Sequence, residues 1–318
     1  MPATGTERSV LDSGAQAVTG PALRALSETR GRVEVALSRV LDRRLRTLDR
    51  RIAAPIRYAV EAGGKRLRPV LCVSAFRAAG GGEPTDAVYD AACAIELIHT
   101  YSLLHDDLPC MDDDDYRRGR PTAHRAFGEA AVTLAGAAMI PLAAAVLDDG
   151  AARLALTPAE RSAIVLDLAR AAGAAGMVGG QVLDLAAERV AVGAAELETI
   201  HSHKTGALFA GSLRVGARLA RADAAVVAAF GRCGIGLGLA FQVTDDILDV
   251  TGQRTVLGKS AGRDAEHGKA TYPGLLGLHG ALARGQAAAD EAVSALRGAG
   301  IHDDILEGLI AFAVSRDR

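Results

Sequence analysis

The chain has 318 residues, 49% of them hydrophobic, and a formal net charge of −2 at pH 7. That length holds one large domain or two small ones, and the near-zero charge argues against a polyanionic partner, so no nucleic acid is expected. Aromatic residues make up 3% and tryptophan is absent, so the core must come mainly from Ala, Leu and Val, which favours close-packed helices over a β-sandwich.

In chain order, residues 1–20 are rich in Gly, Ser, Thr and Ala without periodicity, and a frayed tail is expected there. From Pro21 to Leu48, apolar residues at three- and four-residue spacing, such as Val33, Leu37, Val40 and Leu41, predict two helical stretches with arginines on a solvated face. Gly63-Gly64-Lys65-Arg66-Leu67-Arg68-Pro69 is a break that opens into a helix over Val70–Ala79. It has the Gly pair and the cations of a phosphate-cradling loop, but neither the spacing nor the Ser/Thr of a P-loop. Gly80–Pro84 is a loop. Asp86–His105 reads as a long helix running straight into an acidic run. Helices over about 128–149 and 158–178 follow, then Leu197–Leu219 and Ala224–Val250. Residues 251–274 bring glycines, charges and a Tyr-Pro stop, the composition of a flexible loop beside a site. Helix resumes to the C-terminus. With no period-2 strand and no repeat, the expectation is an all-α fold with a single domain over residues 21–318.

The four cysteines, Cys72, Cys93, Cys110 and Cys233, form no CxxC pair and are read as reduced and mostly packed, Cys110 included. No charged-then-apolar leader is visible. No stretch is read as reaching the length and hydrophobicity of a membrane span; the apolar run near Ala130–Leu147 is rich in small residues and interrupted by Pro141, so it reads as a buried helix, no membrane span is expected, and the protein is read as cytoplasmic.

Asp106-Asp107-Leu108-Pro109-Cys110-Met111-Asp112-Asp113-Asp114-Asp115 places six aspartates in ten residues, directly after an apolar helix. A solvated surface run is the ordinary reading. Carboxylates at the end of a buried helix, however, need a strong partner. Asp106 and Asp112 would stand about 120° apart on a regular helix; Pro109 breaks that regularity and lets a disrupted turn bring both to one point. In Asp245-Asp246-Ile247-Leu248-Asp249, Asp245 and Asp249 share one helix face, offset by about 40°. Like charges on a buried face call for a cation, and oxygen donors without His or Cys favour Mg²⁺, which leaves room for substrate phosphates.

Basic residues stand beside both runs. Arg117-Arg118-Gly119-Arg120 follows the first, and arginine forks match phosphate oxygens. Gly206, after Lys204-Thr205, is suited to a local helix distortion or to close helix packing. His99 and Gln242 lie next to the two acidic runs. Lys259 and Lys269 lie in the loop after the second run, either as ordinary surface lysines or closing over a phosphate.

Gly63–Pro69, Asp106–Asp112 with Arg117-Arg118, Lys204-Thr205, and Phe241-Gln242 with Asp245–Asp249 together resemble the trans-isoprenyl diphosphate synthases. Within that family the pattern is most similar to bacterial farnesyl diphosphate synthases, with the longer Asp-Asp-four-residues-Asp form of the first motif. The resemblance runs from about residue 55 to the C-terminus. It implies a helical bundle around a central cavity, a homodimer and three Mg²⁺. By this resemblance Asp106, Asp112 and Asp245 ligate metal, and Asp107, Asp246 and Asp249 support them directly or through water. Arg117, Lys204 and Lys259 would hold an allylic diphosphate; Lys65, Arg68, His99 and Arg118 would hold isopentenyl diphosphate. Lys204, Thr205 and Gln242 would act at the reacting centre. One departure stands out: where the family commonly has Gly-Asp-Ala-Leu, this chain reads Gly136-Ala137-Ala138-Met139.

Tyr101, five residues before Asp106 and followed by Ser102, resembles the farnesyl-producing pattern and is expected to limit product length, with plain core packing as the other reading. A geranyl or geranylgeranyl product is the near alternative. A class I terpene cyclase is a further one, against which the two acidic motifs and Lys65 and Arg68 argue. An inactive regulatory subunit is the non-enzymatic alternative, against which the completeness of both motifs argues.

Overall fold

The computed structural model describes residues 20–188, 190–251 and 269–315. Most of the expected N-terminal tail, most of the expected 251–274 loop and Lys259 lie outside the described residues. Helix α1 (Gly20–Leu45) is one helix where the sequence spacing predicted two. Gly31 lies inside it, and a helical Gly costs about 1 kcal/mol. That is less than the helix gains from the continuous face it buries, Ala22 through Val33, Leu37 and Leu41. Helix α2 (Arg50–Glu61) starts at Asp49, whose side chain accepts from Arg51 N. Helix α3 (Leu67–Phe76) continues into a π-helical turn, Arg77–Gly81.

Helix α4 (Asp86–Asp106) is buried nearly all round, so it sits at the centre of the bundle rather than on its surface. A two-residue antiparallel hairpin, β1 (Tyr116–Arg117) and β2 (Arg120–Pro121), follows. Its turn residues, Arg118 and Gly119, have φ of 54° and 74°, the positive pair that a tight two-residue hairpin requires. Then come α5 (Ala123–Phe127), α6 (Glu129–Arg153), α7 (Pro158–Ala172) behind a Thr157–Glu160 capping box, and α8 (Met177–Ala186). Helix α9 (Ala194–His201) passes through a π-helical turn, Ser202–Gly206, into α10 (Ala207–Leu219). Helices α11 (Ala224–Thr251), α12 (Tyr272–Arg297) and α13 (Asp304–Ser315) complete the described chain.

Three expectations are corrected. The Tyr272-Pro273 pair starts a helix rather than stopping one, because proline in a first turn gives up no hydrogen bond. Cys110 is exposed, while Cys72, Cys93 and Cys233 are buried. The stretches Glu129–Arg153, Pro158–Ala186 and Ala224–Thr251 are each long and apolar enough to cross a membrane by length and composition. Pro141 lies inside α6 without ending it, and the Ala, Leu and Val that raise the hydropathy of these helices also supply bundle contacts.

Two buried clusters make the core. One is built mainly on α1, α2, α4, α6 and α7, the other on α11, α12 and α13, and α3 and α10 contribute residues to both.

Candidate active site

A cavity of about 1000 Å³ opens between the two clusters, where the ends of α4 and α11, helix α8, the Ser202–Gly206 turn and the Gly63–Arg68 loop meet. The first acidic run enters it by folding back on itself. Asp112 N donates to Asp106 O at 2.8 Å, Asp113 N to Leu108 O at 3.2 Å and Asp114 N to Asp107 O at 3.3 Å. Both Asp106 and Asp112 thereby line the cavity. Asp107 does not. It is 4% exposed and accepts Arg117 Nε at 2.6 Å, while Arg117 Nη2 reaches Asp114 Oδ2 at 3.2 Å. The carboxylate expected to support a metal is instead a partner of the cavity-lining arginine.

Across the cavity, Asp245, Asp246 and Asp249 line the last turns of α11. Asp246 is held on both oxygens, by Gln242 Nε2 at 3.0 Å and by the backbone N of Tyr272 at 3.0 Å. Gln242 Oε1 accepts the Thr205 hydroxyl at 3.1 Å, so Thr205, Gln242 and Asp246 form one hydrogen-bonded row from the π-helical turn to the start of α12. Of the two readings of Gly206, the local distortion is present as that turn. Helix α8 approaches it closely: a Cβ on Gly180 would stand 2.1 Å from Lys204 N.

Sequence reading missed Asp184 of α8. Its Oδ2 accepts Lys204 Nζ at 2.5 Å and Lys269 Nζ at 3.4 Å; Lys269 also reaches Asp112 Oδ1 at 3.4 Å and Glu188 Oε1 at 3.7 Å. Burial opposes the Asp184 charge, but the two ammonium groups outweigh it and hold the carboxyl below its usual range. Burial likewise opposes the Lys269 charge, and Asp184, Asp112 and Glu188 together raise it above the usual lysine range. Gln181, one turn earlier on the same helix, lines the cavity with its amide buried and without a hydrogen-bond partner among the described residues. A polar pair three residues apart on an otherwise apolar helix was the available signal.

The basic wall is built from two loops. Arg118 Nη1 donates to the Gly63 carbonyl, fastening the hairpin to the Gly63–Arg68 loop. Lys65 and Arg68 line the cavity, with the Arg68 guanidinium carbon 4.6 Å from the centroid of the Phe209 ring. Arg66, between them, turns into the core, where it meets Glu96 at 2.7 Å and Glu34 at 2.9 Å. His99 sits among these cations. Burial first, and then Arg68, Arg118, Arg117 and Arg66, push its imidazole well below the usual range, so it is neutral at pH 7. Ser102 lies at the cavity wall and donates to the His99 carbonyl at 2.9 Å. Tyr101 is 4% exposed with its hydroxyl 3.5 Å from the Ala172 carbonyl.

Among the described residues, no three His, Cys, Asp or Glu side chains come together as a complete metal cage. Mg²⁺ takes one or two carboxylates and keeps the rest of its shell for water and substrate phosphate. The cavity donors are carboxylate oxygens on two opposite walls, a set matched to a hard cation.

The polyprenyl synthetase family profile matches residues 49–298. The chain is 41% identical over 295 residues to the farnesyl diphosphate synthase of Geobacillus stearothermophilus, a match covering 92% of this chain and 97% of that one. It is 46% identical over 235 residues to geranylgeranyl pyrophosphate synthase 9, chloroplastic, of Arabidopsis thaliana, covering 72% of this chain and 64% of that one. A solved polyprenyl synthase from Caulobacter crescentus CB15, complexed with calcium and isoprenyl diphosphate, superposes with a TM-score of 0.80 at 30% identity, covering 93% and 98% of the two chains. The profile match and the identity to a farnesyl diphosphate synthase over nearly the whole of both chains make the class that of the prenyltransferases. The chain belongs to the polyprenyl synthetase family.

Proposed function

We propose that this enzyme joins an allylic diphosphate, dimethylallyl or geranyl, to isopentenyl diphosphate and releases farnesyl diphosphate as its main product. The observation that carries the reading is the meeting, around one cavity, of two aspartate groups, a basic loop pair and a buried tyrosine. Asp106, Asp112 and Asp245 would hold Mg²⁺, three ions in all, with Asp246 and Asp249 supporting them. When bound, the ions neutralise the departing pyrophosphate.

Arg117 and Lys204 bind the allylic diphosphate oxygens, joined by Lys259, and Asp107 orients Arg117 for that contact. Lys65, Arg68, Arg118 and neutral His99 bind isopentenyl diphosphate, so its charge is met by cations while the imidazole contributes a neutral donor. Thr205 and Gln242 line the reacting centre, where the isopentenyl double bond attacks the allylic carbon as its bond to oxygen breaks. The proton lost afterwards passes to the departing pyrophosphate. Met177, Val178, Val182 and Leu185 of α8 form an apolar wall that keeps water from the electron-deficient allylic carbon.

The enzyme is further proposed to act in the cytoplasm as a homodimer, without a membrane span or a nucleic-acid partner, through a single domain over residues 21–318. Support for a dimer comes from α6, which exposes Leu134 and Ile140, 59% and 43% accessible, on one face with Ala137.

Tyr101 is the proposed floor for the growing chain, and Tyr101→Ala should lengthen the product. A C20 product is the second reading, favoured by the likeness to the Arabidopsis enzyme. The test is product analysis with Mg²⁺, isopentenyl diphosphate and, separately, dimethylallyl, geranyl and farnesyl diphosphates. Dominant C15 supports the farnesyl reading. Dominant C20 keeps prenyl transfer and removes Tyr101 as the floor. No elongation from any starter overturns the reading in favour of a cyclase or a non-catalytic subunit.

A further inference from the structure

We propose that product length is set by two rings acting as a unit, Tyr101 and His105, and that Gly136 of α6 is the seat that holds the unit in place. The proposal rests on the prenyl-transfer reading above. The two residues are one helical turn apart on α4, and both line the cavity. Their rings stand edge to face, with centroids 5.7 Å apart and planes at 80°, a favoured aromatic geometry. Tyr101 is anchored on the far side by the Ala172 carbonyl.

His105 is anchored on α6. Its Nε2 lies 3.1 Å from the Thr133 carbonyl oxygen. A carbonyl only accepts, so this nitrogen carries the proton. The ring reaches that carbonyl because residue 136 has no side chain: a Cβ there would stand 2.2 Å from His105 Nε2 and 2.6 Å from Cδ2. Alanine would otherwise be preferred inside a helix by about 1 kcal/mol. The neighbouring Ala137, where the family commonly carries Asp, is exposed, about 100° further round α6 than Gly136.

Gly136→Ala supplies the clashing methyl. The His105 ring must then leave α6, give up the Thr133 carbonyl and tip into the cavity beside Tyr101. Product lengths made from dimethylallyl and isopentenyl diphosphates read the effect. The expected result is a rise of about tenfold in the ratio of C10 to C15 product, the size of a modest overpacking penalty on the longer chain. His105→Ala should lengthen the product instead, and in that background Gly136→Ala should change nothing.

An unchanged ratio in folded Gly136→Ala overturns the proposal. So does a shift of equal size in the absence of the His105 ring, because the effect would then bypass it. Should Gly136→Ala not fold, His105→Ala decides alone, longer products supporting the unit and an unchanged length overturning it. A wild-type enzyme that elongates no starter removes the prenyl-transfer reading itself, so the two failures are told apart by the wild-type assay.

Discussion

His201, the last residue of α9, is 6% exposed, and neither ring nitrogen has a hydrogen-bond partner among the described residues. Burial, opposed by Asp184 and reinforced by Lys204 and Lys269, pushes its pKa down to about 4. An unfolded histidine takes up its proton near pH 6.5 (about the free value), so between that pH and about 4 the unfolded chain binds more protons than the folded one. This contribution to stability is complete above pH 6.5 and is lost as the pH falls toward about 4. Urea unfolding at a series of pH values should show that loss, with a shallower slope in His201→Leu; an identical slope would remove His201 as a source. Arg66 offers a second prediction. It holds a left-handed φ of 50° and is paired with Glu96, both side chains being almost fully buried. Arg66→Met leaves that carboxylate without its partner and should cost about 3–5 kcal/mol in the same assay. The run Lys65-Arg66-Leu67-Arg68 was legible as a basic loop. Which of its cations would face the core was not, because that depends on a backbone twist no neighbouring residue announces.

At the scale of elements, the close contact of α8 with the π-helical turn fixes where Lys204 emerges. In Gly180→Ala the new methyl would meet backbone on the far side, with Lys204 N at 2.1 Å and Lys204 Cα at 2.4 Å, and backbone does not yield as a side chain does. The variant should lose about 1–3 kcal/mol of stability. It should also raise the KM for the allylic diphosphate, and a change in melting temperature with no change in KM would separate packing from Lys204 placement. Gly206 marked the place but left a distorted turn and close helix packing both open. The turn's partner Gly180 was not legible, since only the folded bundle shows which helix lands on it. Helix α4 was legible in both its length and its acidic end, because an apolar run of that length followed by aspartates has few other solutions. Asp184 was hidden by its surroundings: a single carboxylate among Val182, Leu183 and Leu185 has no meaning until two lysines arrive from other elements.

For the whole molecule, an alanine-rich and tryptophan-free composition was enough to indicate packed helices, and the absence of alternating apolar runs argued against a sheet core, though it did not reveal the short β1–β2 hairpin. The same composition hides quaternary structure, because a stripe of alanines reads alike whether it meets a neighbouring helix or a second chain. Leu134→Arg places a charge on the exposed apolar face of α6 and should convert the proposed dimer to a monomer on size-exclusion chromatography. Unchanged elution would move the interface elsewhere.

The hydrogen bond from Asp112 N to Asp106 O has a consequence for comparing this chain with others. It closes the base of the loop, so that the two carboxylates are brought together at its neck, while Cys110 sits exposed at its apex. Residues gained or lost at the apex should leave the neck where it is as long as that bond is kept. Distance along the chain between the two aspartates is therefore a poor ruler for their distance in space, and a motif search that insists on one fixed interval discards proteins whose geometry is the same.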